Sequence, residues 1–501
     1  GIYKLSTSQE VQFIKKLSIS DTVTSIKSVH SDDKQALLVI GNRDGYYVYI
    51  KFNKVTGDYE FLHSNNTRKG FLEGAFEIEN ELIIYGFKSS FFYIYNESRE
   101  YEIAYENCGG AHRQWKLFYL QGSYEFVYTR SGTLTIREVP KPAVDYFLSE
   151  GTHGREIRDI SIRDKPLKDG KILYVTGAED TTLKLSSIDN DEGSIRNYWT
   201  LRKHTSGLQK VKFLSDQLLA SSSAREEFFI WKLDESFSNP LLIPTASLQP
   251  SADNPDLRIM DFDQIFVYDS DDNMKGLLLV NVYSDSTIKA WFFEPTTSSF
   301  TPVFEGHYKT CCLLDVKLSI VNDQVFLLTG ATDGHLTLWN ITESVGFELV
   351  EGKLRFKGEL LKRSLPSPVC TIAVHQNSIK SFSVKQDNDD LIVATGGDDN
   401  GLAITTFKFN GEIVEAEVNS LVEDAASSTI TSLEMVLNDR LIVVSVDQIV
   451  RLWSFKDKKL KLLDKLYTTV ADTGSLGTYQ QGDRHVSLIG GVGLSVWDIK
   501  N

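Results

Sequence analysis

A short pattern recurs along the chain. It runs as an apolar strand-length stretch, a turn rich in Asp and Gly, and a second stretch ending on Trp or a hydroxyl residue. The clearest copy, 327–339, reads LLTGATDGHLTLW. Segments 173–186, 218–231, 278–291 and 441–453 follow the same order, and 391–405 and 486–497 are looser versions. Asp285, Asp333 and Asp447 each stand six residues before a Trp. The closing positions fall at 186, 231, 291, 339, 405, 453 and 497, with spacings of 45, 60, 48, 66, 48 and 44 residues. A period of roughly 40–45 residues is that of a four-stranded sheet repeated around an axis. The two long intervals predict surface insertions, one at 236–256 and one between Ile341 and Pro366.

This is the WD-repeat pattern, and its side chains form a hydrogen-bond series. Indole only donates, hydroxyl and neutral imidazole do both, and carboxylate accepts. His307, Thr329, Asp333 and Trp339 supply the full tetrad, so their blade is expected to be the best formed. His375, Thr395 and Asp399 supply three members, with Thr405 in place of Trp. His153, Thr176 and Asp180 do likewise, with Ser186 last. His204, Ser221 and Trp231 lack the Asp, where Arg225 stands. Because the trio repeats blade after blade, it reads as a structural staple, and no catalytic residue is assigned.

Seven closing positions make a complete ring. Closure also removes exposed edge strands. Three more units, 36–50, 81–95 and 124–137, precede it. The expected fold is all-β: WD-repeat β-propellers, with one complete seven-bladed ring at 141–501 preceded by three blades of an incomplete propeller at 1–140. Three blades do not close. Either an N-terminal portion is missing, which a chain starting at Gly1 favours, or another chain completes the ring. The segment 138–150, with Pro140 and Pro142, is the expected connection.

The net charge is −15, from 53 basic and 68 acidic residues, which excludes a globally basic nucleic-acid binder but not a local basic patch. Cys108, Cys311, Cys312 and Cys370 form no C-x-x-C pair. This usage fits free thiols in a reducing, cytoplasmic setting, and no metal site is expected. Apolar runs are strand-length, so no membrane span is expected. There is no Walker-type loop and no H-E-x-x-H motif. Gly490, Gly491 and Gly493 are followed by a strand, not by the helix that an anion-binding fingerprint needs. The acidic stretches 269–272 and 387–390 read as solvated turns.

Two regions stand apart. Residues 107–116 read NCGGAHRQWK, where a loop-to-strand turn accounts for His112 and Trp115 but not for Cys-Gly-Gly beside Arg113, and the two glycines suggest close backbone approach or positive φ. Residues 153–171 carry Arg155 and Arg158, and Arg202 and Lys203 follow at the corresponding place in the next blade. Equivalent loops share one face of a ring, so these four are expected to converge on one basic rim.

The Cys-Gly-Gly-x-His-Arg-x-Trp string at 108–115 precedes a seven-blade ring that opens with His-Gly-x-Glu-Ile at 153–157. Together they resemble the WD repeat-containing protein 6 family, in its C-terminal half. Ala111 stands where the family leads one to expect a third Gly. The resemblance implies a non-catalytic partner of a tRNA ribose 2′-O-methyltransferase acting at the wobble position. S-adenosylmethionine would sit on that partner, with no cofactor here. Partners would be the methyltransferase catalytic subunit and tRNA, with His112, Arg113, Arg155, Arg158, Arg202 and Lys203 as candidate contacts. The alternative is a generic WD-repeat scaffold for vesicle traffic, endosomal recycling or ubiquitin-ligase substrates.

Overall fold

The computed structural model describes residues 2–5, 11–15, 22–140, 152–189, 192–237, 239–250, 254, 256–309, 311–358, 360–411, 413–481 and 484–500. The fold is all-β and of the WD-repeat propeller type. After a hairpin of Ile2–Leu5 and Val11–Lys15, ten sheets follow in chain order among the described residues, antiparallel except for two added parallel pairings in the sixth. They are numbered here 1 to 10. Sheets 1, 2 and 3 span 23–66, 71–107 and 115–140. Sheets 4 to 10 open with Ile157–Ile162, Leu208–Phe213, Ile259–Tyr268, Leu313–Val321, Ile379–Asp387, Ile430–Val436 and Ala471–Gln481. Most are simple four-stranded meanders. The connection expected at 138–150 lies outside the described residues beyond Pro140, which ends a strand of sheet 3.

The opening strands of sheets 4 to 10 line the axis. Those of sheets 4, 6, 7 and 8 present short polar side chains to the main chain of the next sheet. Asp159 Oδ2 accepts from Val211 N at 2.9 Å, and Ser161 Oγ accepts from Phe213 N at 2.9 Å. Asp261 and Asp263 accept from Val316 N and Leu318 N, each at 2.8 Å. Asp315 accepts from Phe382 N at 2.8 Å, and Ser383 Oγ from Met435 N at 3.1 Å. The last sheet returns to the first, with Ser475 Oγ 3.4 Å from Asp159 Oδ1. Lys210 lies 3.6 Å from Asp159 and 4.0 Å from Asp261, while Lys212 and Lys317 both reach Asp263. Burial raises Asp159, and it raises Asp315 well above the usual carboxylate range, helped by the charge of Asp261. Burial also works against Asp263, but Lys212 and Lys317 outweigh it and hold that carboxyl low.

The two expected insertions turn out to be partly structural. Leu241–Ser247 is the outer strand of sheet 5. Within 341–366, Glu348–Val350, Lys353–Arg355 and Arg363–Ser364 add to sheet 6. Leu354 is buried there and Phe356 stacks on Phe292 with centroids 5.4 Å apart. Apolar residues placed between polar ones allow this segment to pack instead of looping free.

Sheets 1 and 2 pack on sheets 4 and 5 through one shared core that includes Tyr49, Tyr95, Trp199, Trp231 and Leu241. Polar groups cross the same seam. Asn65 Nδ2 donates to Thr200 O at 2.7 Å, and Asn197 Nδ2 to Ser98 O at 2.8 Å. Arg202 reaches Glu97 at 3.2 Å and also binds Glu100, which Lys184 shares. The central strand of sheet 3, Ser123–Arg130, alternates buried and half-buried, unlike the nearly wholly buried Glu81–Lys88 of sheet 2. One face of sheet 3 is therefore open, with Phe118, Leu120, Leu134 and Ile136 exposed.

Two stability predictions follow from these contacts. Asp159→Ala removes a buried acceptor and leaves Val211 N unsatisfied, at a cost of about 1–3 kcal/mol in chemical denaturation. Asp159→Asn keeps an acceptor oxygen and is expected to lose less. His63, wholly buried at the seam beside Trp199 (5.1 Å) and Tyr47, is held at about 3 by burial and by Arg202. The unfolded chain, with an ordinary imidazole near 6.5, takes up this proton first. The neutral ring's contribution is thus full above about pH 6.5 and is lost as pH falls toward 3. Urea midpoints at pH 7.5 and 5 are expected to differ less in His63→Phe than in the wild type.

Candidate partner and nucleic-acid interface

The tetrads form, but not where the sequence is most complete. In sheet 5, Trp231 Nε1 donates to Ser221 Oγ at 2.8 Å, Ser221 meets His204 Nε2 at 2.8 Å, and His204 Nδ1 meets Glu227 at 3.0 Å. Glu227, not the Arg225 position, supplies the missing acceptor. Its longer arm reaches the same imidazole from two residues further on. Burial opposes its ionisation, yet hydrogen bonds from His204, Thr205 and Ser223 hold it at about 2. Sheet 4 has His153 between Asp180 at 3.2 Å and Thr176 at 2.7 Å. Sheet 8 has His375 between Asp399 and Thr395, both at 2.9 Å.

The tetrad of His307, Thr329, Asp333 and Trp339 does not assemble. His307 continues the pairing of strand Ser299–His307, is exposed, and meets Thr287 Oγ1 at 3.2 Å. Tyr308, one residue on, turns inward instead. Its hydroxyl donates to Asp333 at 3.0 Å and its ring packs edge-on against Trp339. Thr329 Oγ1 is buried without a partner. The expectation that this blade is the best formed is therefore corrected: sheet 5 carries the complete series.

These trios look like a nucleophile, a base and an orienting acid. However, the side chains of His153, His204 and His375 are at most 1% exposed, so no substrate reaches them. They cap turns: Asp180 also accepts from Gly154 N and Thr182 N, and Asp399 from Gln376 N and Gly401 N. Among the described residues no group of three or more His, Cys, Asp or Glu is placed to hold a metal ion.

The four-residue rim is also corrected. Arg202 is committed to Glu97 and Glu100 at the seam, where those carboxylates hold the guanidinium in its charged form against the cost of burial. Arg158 is exposed but paired with Glu179 at 2.7 Å and Glu156 at 3.5 Å. Lys203 is exposed, its ammonium 5.9 Å from the Phe229 ring centroid, and Arg155 is exposed. The other strong cation of this region, Arg163, is buried against Glu235 at 2.9 Å. Sequence position placed these residues on neighbouring blades but did not show the acids opposite them.

His112 and Arg113 sit on the turn that leads into sheet 3. Cys108 is buried and its N–H donates to Ser90 O at 3.1 Å. Gly109 and Gly110 then take φ of 91° and 101°, a region that disfavours a side chain. The turn throws His112 and Arg113 outward, both exposed, before Trp115 returns to the aromatic core, 5.2 Å from Phe87 and 5.6 Å from Phe92. The two glycines, not the histidine, are what this string is built around.

Mutations separate the two tetrads. Glu227→Ala strips the acceptor from a buried series and is expected to cost about 1–3 kcal/mol by thermal denaturation. Thr329→Val removes a hydroxyl that already lacks a partner and is expected to be neutral or stabilising.

No family model matches the chain. It is similar to the bovine (Bos taurus) tRNA (34-2′-O)-methyltransferase regulator WDR6, at 19% identity over 507 residues. The match covers 84% of this chain and 44% of the relative, so the chain spans less than half of the relative's length. Among solved structures it is similar to the WD40 β-propeller domain of Doa1, at 15% identity and a TM-score of 0.48, covering 70% of this chain and 94% of that one. It is also similar to the RRP9 WD40 repeats, at 16% identity and a TM-score of 0.46, covering 68% and 88%.

Proposed function

We propose that this chain is a non-catalytic WD-repeat subunit that binds a tRNA 2′-O-ribose methyltransferase and positions tRNA for methylation of the wobble nucleotide. The observation that carries this reading is the similarity to a tRNA methyltransferase regulator along 84% of the chain. The geometry supports a binding role: the His-Asp-Thr groups are sealed into turns, and what remains on the surface is rigid loops on stacked sheets. In this reading, residues 1–140 are three blades of an incomplete propeller and 141–501 are a seven-bladed ring. S-adenosylmethionine and the catalytic groups belong to the partner, and the complex works in the cytoplasm. No helix among the described residues is long and apolar enough to cross a membrane.

The chemistry asked of such a subunit is placement. Holding a ribose hydroxyl at the methyl donor turns a bimolecular encounter into an internal one, and correct orientation supplies much of the rate advantage of a bound substrate. A rigid propeller surface suits this because its loops are fixed by the sheets beneath.

The test is co-purification from cell extract followed by methyl transfer. The chain is expected to bring down a methyltransferase, and the pair to label the wobble ribose of tRNA from labelled methyl donor. The chain alone is expected to give background counts. Recovery of vesicle-coat, endosomal or ubiquitin-ligase components, with no methyltransferase and no change in wobble methylation on depletion, would sink the reading. Robust labelling by the isolated chain would overturn the non-enzymatic role.

A further inference from the structure

Charge is unevenly distributed over the turns of this acidic protein. In sheets 4 to 10, the turns that hold the fold are capped by carboxylates, among them Asp180, Glu227, Asp399 and Asp447. In sheets 1 to 3 the corresponding turns are capped by neutral groups. Asn42 Oδ1 accepts from Asp44 N at 3.0 Å and Tyr46 N at 2.9 Å, and Asn66 Oδ1 accepts from Arg68 N at 2.8 Å. Gln114 O accepts from Thr129 N at 3.0 Å. The turn residues 43–45, 67–70, 88–90, 108–114 and 130–132 therefore hold a single carboxylate, Asp44, against Arg43, Arg68, Lys69, Lys88, Arg113 and Arg130.

These five turns form one ridge. Thr67 N donates to Gly45 O at 3.0 Å. Gly70 lies so close to Phe87 O and Lys88 that a Cβ there would stand 2.9 Å from the carbonyl. Cys108 N and Gly109 N both donate to Ser90 O, and Arg130 Nη1 donates to Asn107 O at 3.0 Å. Arg43, Arg68, Lys88, Arg113 and Arg130 are exposed, and Lys69 is half-buried over Tyr95 at 4.2 Å. Among the described residues none of the six makes an ion pair, whereas Arg158, Arg163 and Arg202 of the ring all do.

We propose that this ridge on the first three sheets binds the phosphate backbone of RNA. Six unpaired cations fixed on hydrogen-bonded turns release counterions when they meet phosphates, which is the dominant source of such affinity. Spacing by turns, with no groove-sized helix or strand projecting from them, suits reading of RNA shape and not of base edges. The proposal rests on the function above only for the identity of the polyanion. It transfers the RNA contact from the rim, where Arg158 and Arg202 are spent on carboxylates, to the glycine-built turn of His112 and Arg113 and its neighbours.

The test uses the full chain, an unmodified tRNA transcript, and fluorescence anisotropy across a salt series. The triple variant R68E/K88E/R113E touches only exposed residues, and its thermal melt is compared with wild type to show that it folds. It is expected to bind at least about tenfold more weakly. Its slope of log K against log[salt] is expected to flatten by roughly 2, at about 0.7–0.9 per lost phosphate contact. R155E/K203E, on the ring, is expected to bind like wild type. An unchanged slope and affinity in the folded triple variant would overturn the proposal. So would a triple variant that loses the methyltransferase but keeps RNA, which would make the ridge a protein-docking surface. If no methyltransferase is recovered with the chain but the ridge dependence holds, the proposed function fails and this inference stands.

Discussion

The architecture depends on one repeated contact: a short acceptor side chain on an inner strand taking a backbone N–H from an inner strand of an adjoining sheet. Inner strands crowd near an axis, so their main chains cannot be screened by bulky side chains. Asp and Ser are short enough to bridge the gap and strong enough as acceptors to satisfy buried N–H groups. The cost is a concentration of carboxylates at the axis. Lys210, Lys212 and Lys317 offset it, although burial and the charge of Asp261 still hold the Asp315 carboxyl well above the usual carboxylate range. A cation in this column is therefore a condition of the fold, and not a surplus charge for a ligand.

The seam between the first sheets and the ring obeys the same constraint in a different form. Burying an arginine is tolerable only beside a carboxylate with further hydrogen bonds. Arg202 finds Glu97, which also accepts from Asn65 and Tyr47. Glu97 is wholly buried, and burial raises its carboxyl even though Arg202 pulls the other way. Tyr47 and Asn65 come from sheet 1, Glu97 lies in the turn between the last two strands of sheet 2, and Arg202 follows the last strand of sheet 4. The polar cluster thus fixes the docking of two sheet stacks whose apolar contact alone would permit sliding.

The repeat and the all-β class were legible because strand length, turn residues and the Trp position survive in nearly every copy. The hydrogen-bond sets of His153 and His375 were legible residue by residue, while those of His307 and His204 were misassigned. His307 sits in a Gly-His pair that sequence cannot tell from a capping one. Only strand register shows that it stays in the outer strand while Tyr308 turns in. Glu227 was missed because a longer side chain two residues away does the work of an Asp. Arg202 and Arg158 were misread for a deeper reason. Their partners, Glu97 and Glu179, lie 105 and 21 residues away, and a charge's fate depends on what faces it and not on its neighbours in sequence. The two glycines at 109 and 110, by contrast, announced a positive-φ turn directly, because only backbone geometry was at stake.

Capping chemistry also divides the molecule electrostatically. A turn closed by Asp or Glu fixes a negative charge at the surface, and nearby cations are drawn into pairs with it. In sheets 4 to 10 such caps take up some of the basic residues, as Asp447 does Arg451, and the whole chain carries a net charge of −15. On the ridge, the first three sheets close their turns with asparagine, threonine and main-chain carbonyls. Those turns obtain the same hydrogen bonds without the charge, so among the described residues Arg43, Arg68, Lys88, Arg113 and Arg130 make no ion pair, while Arg99 and Arg137 pair with Glu81 and Glu106 away from the ridge. A single choice, amide or carboxylate at the turn, therefore sets both how a blade is pinned and which partner its loops can attract.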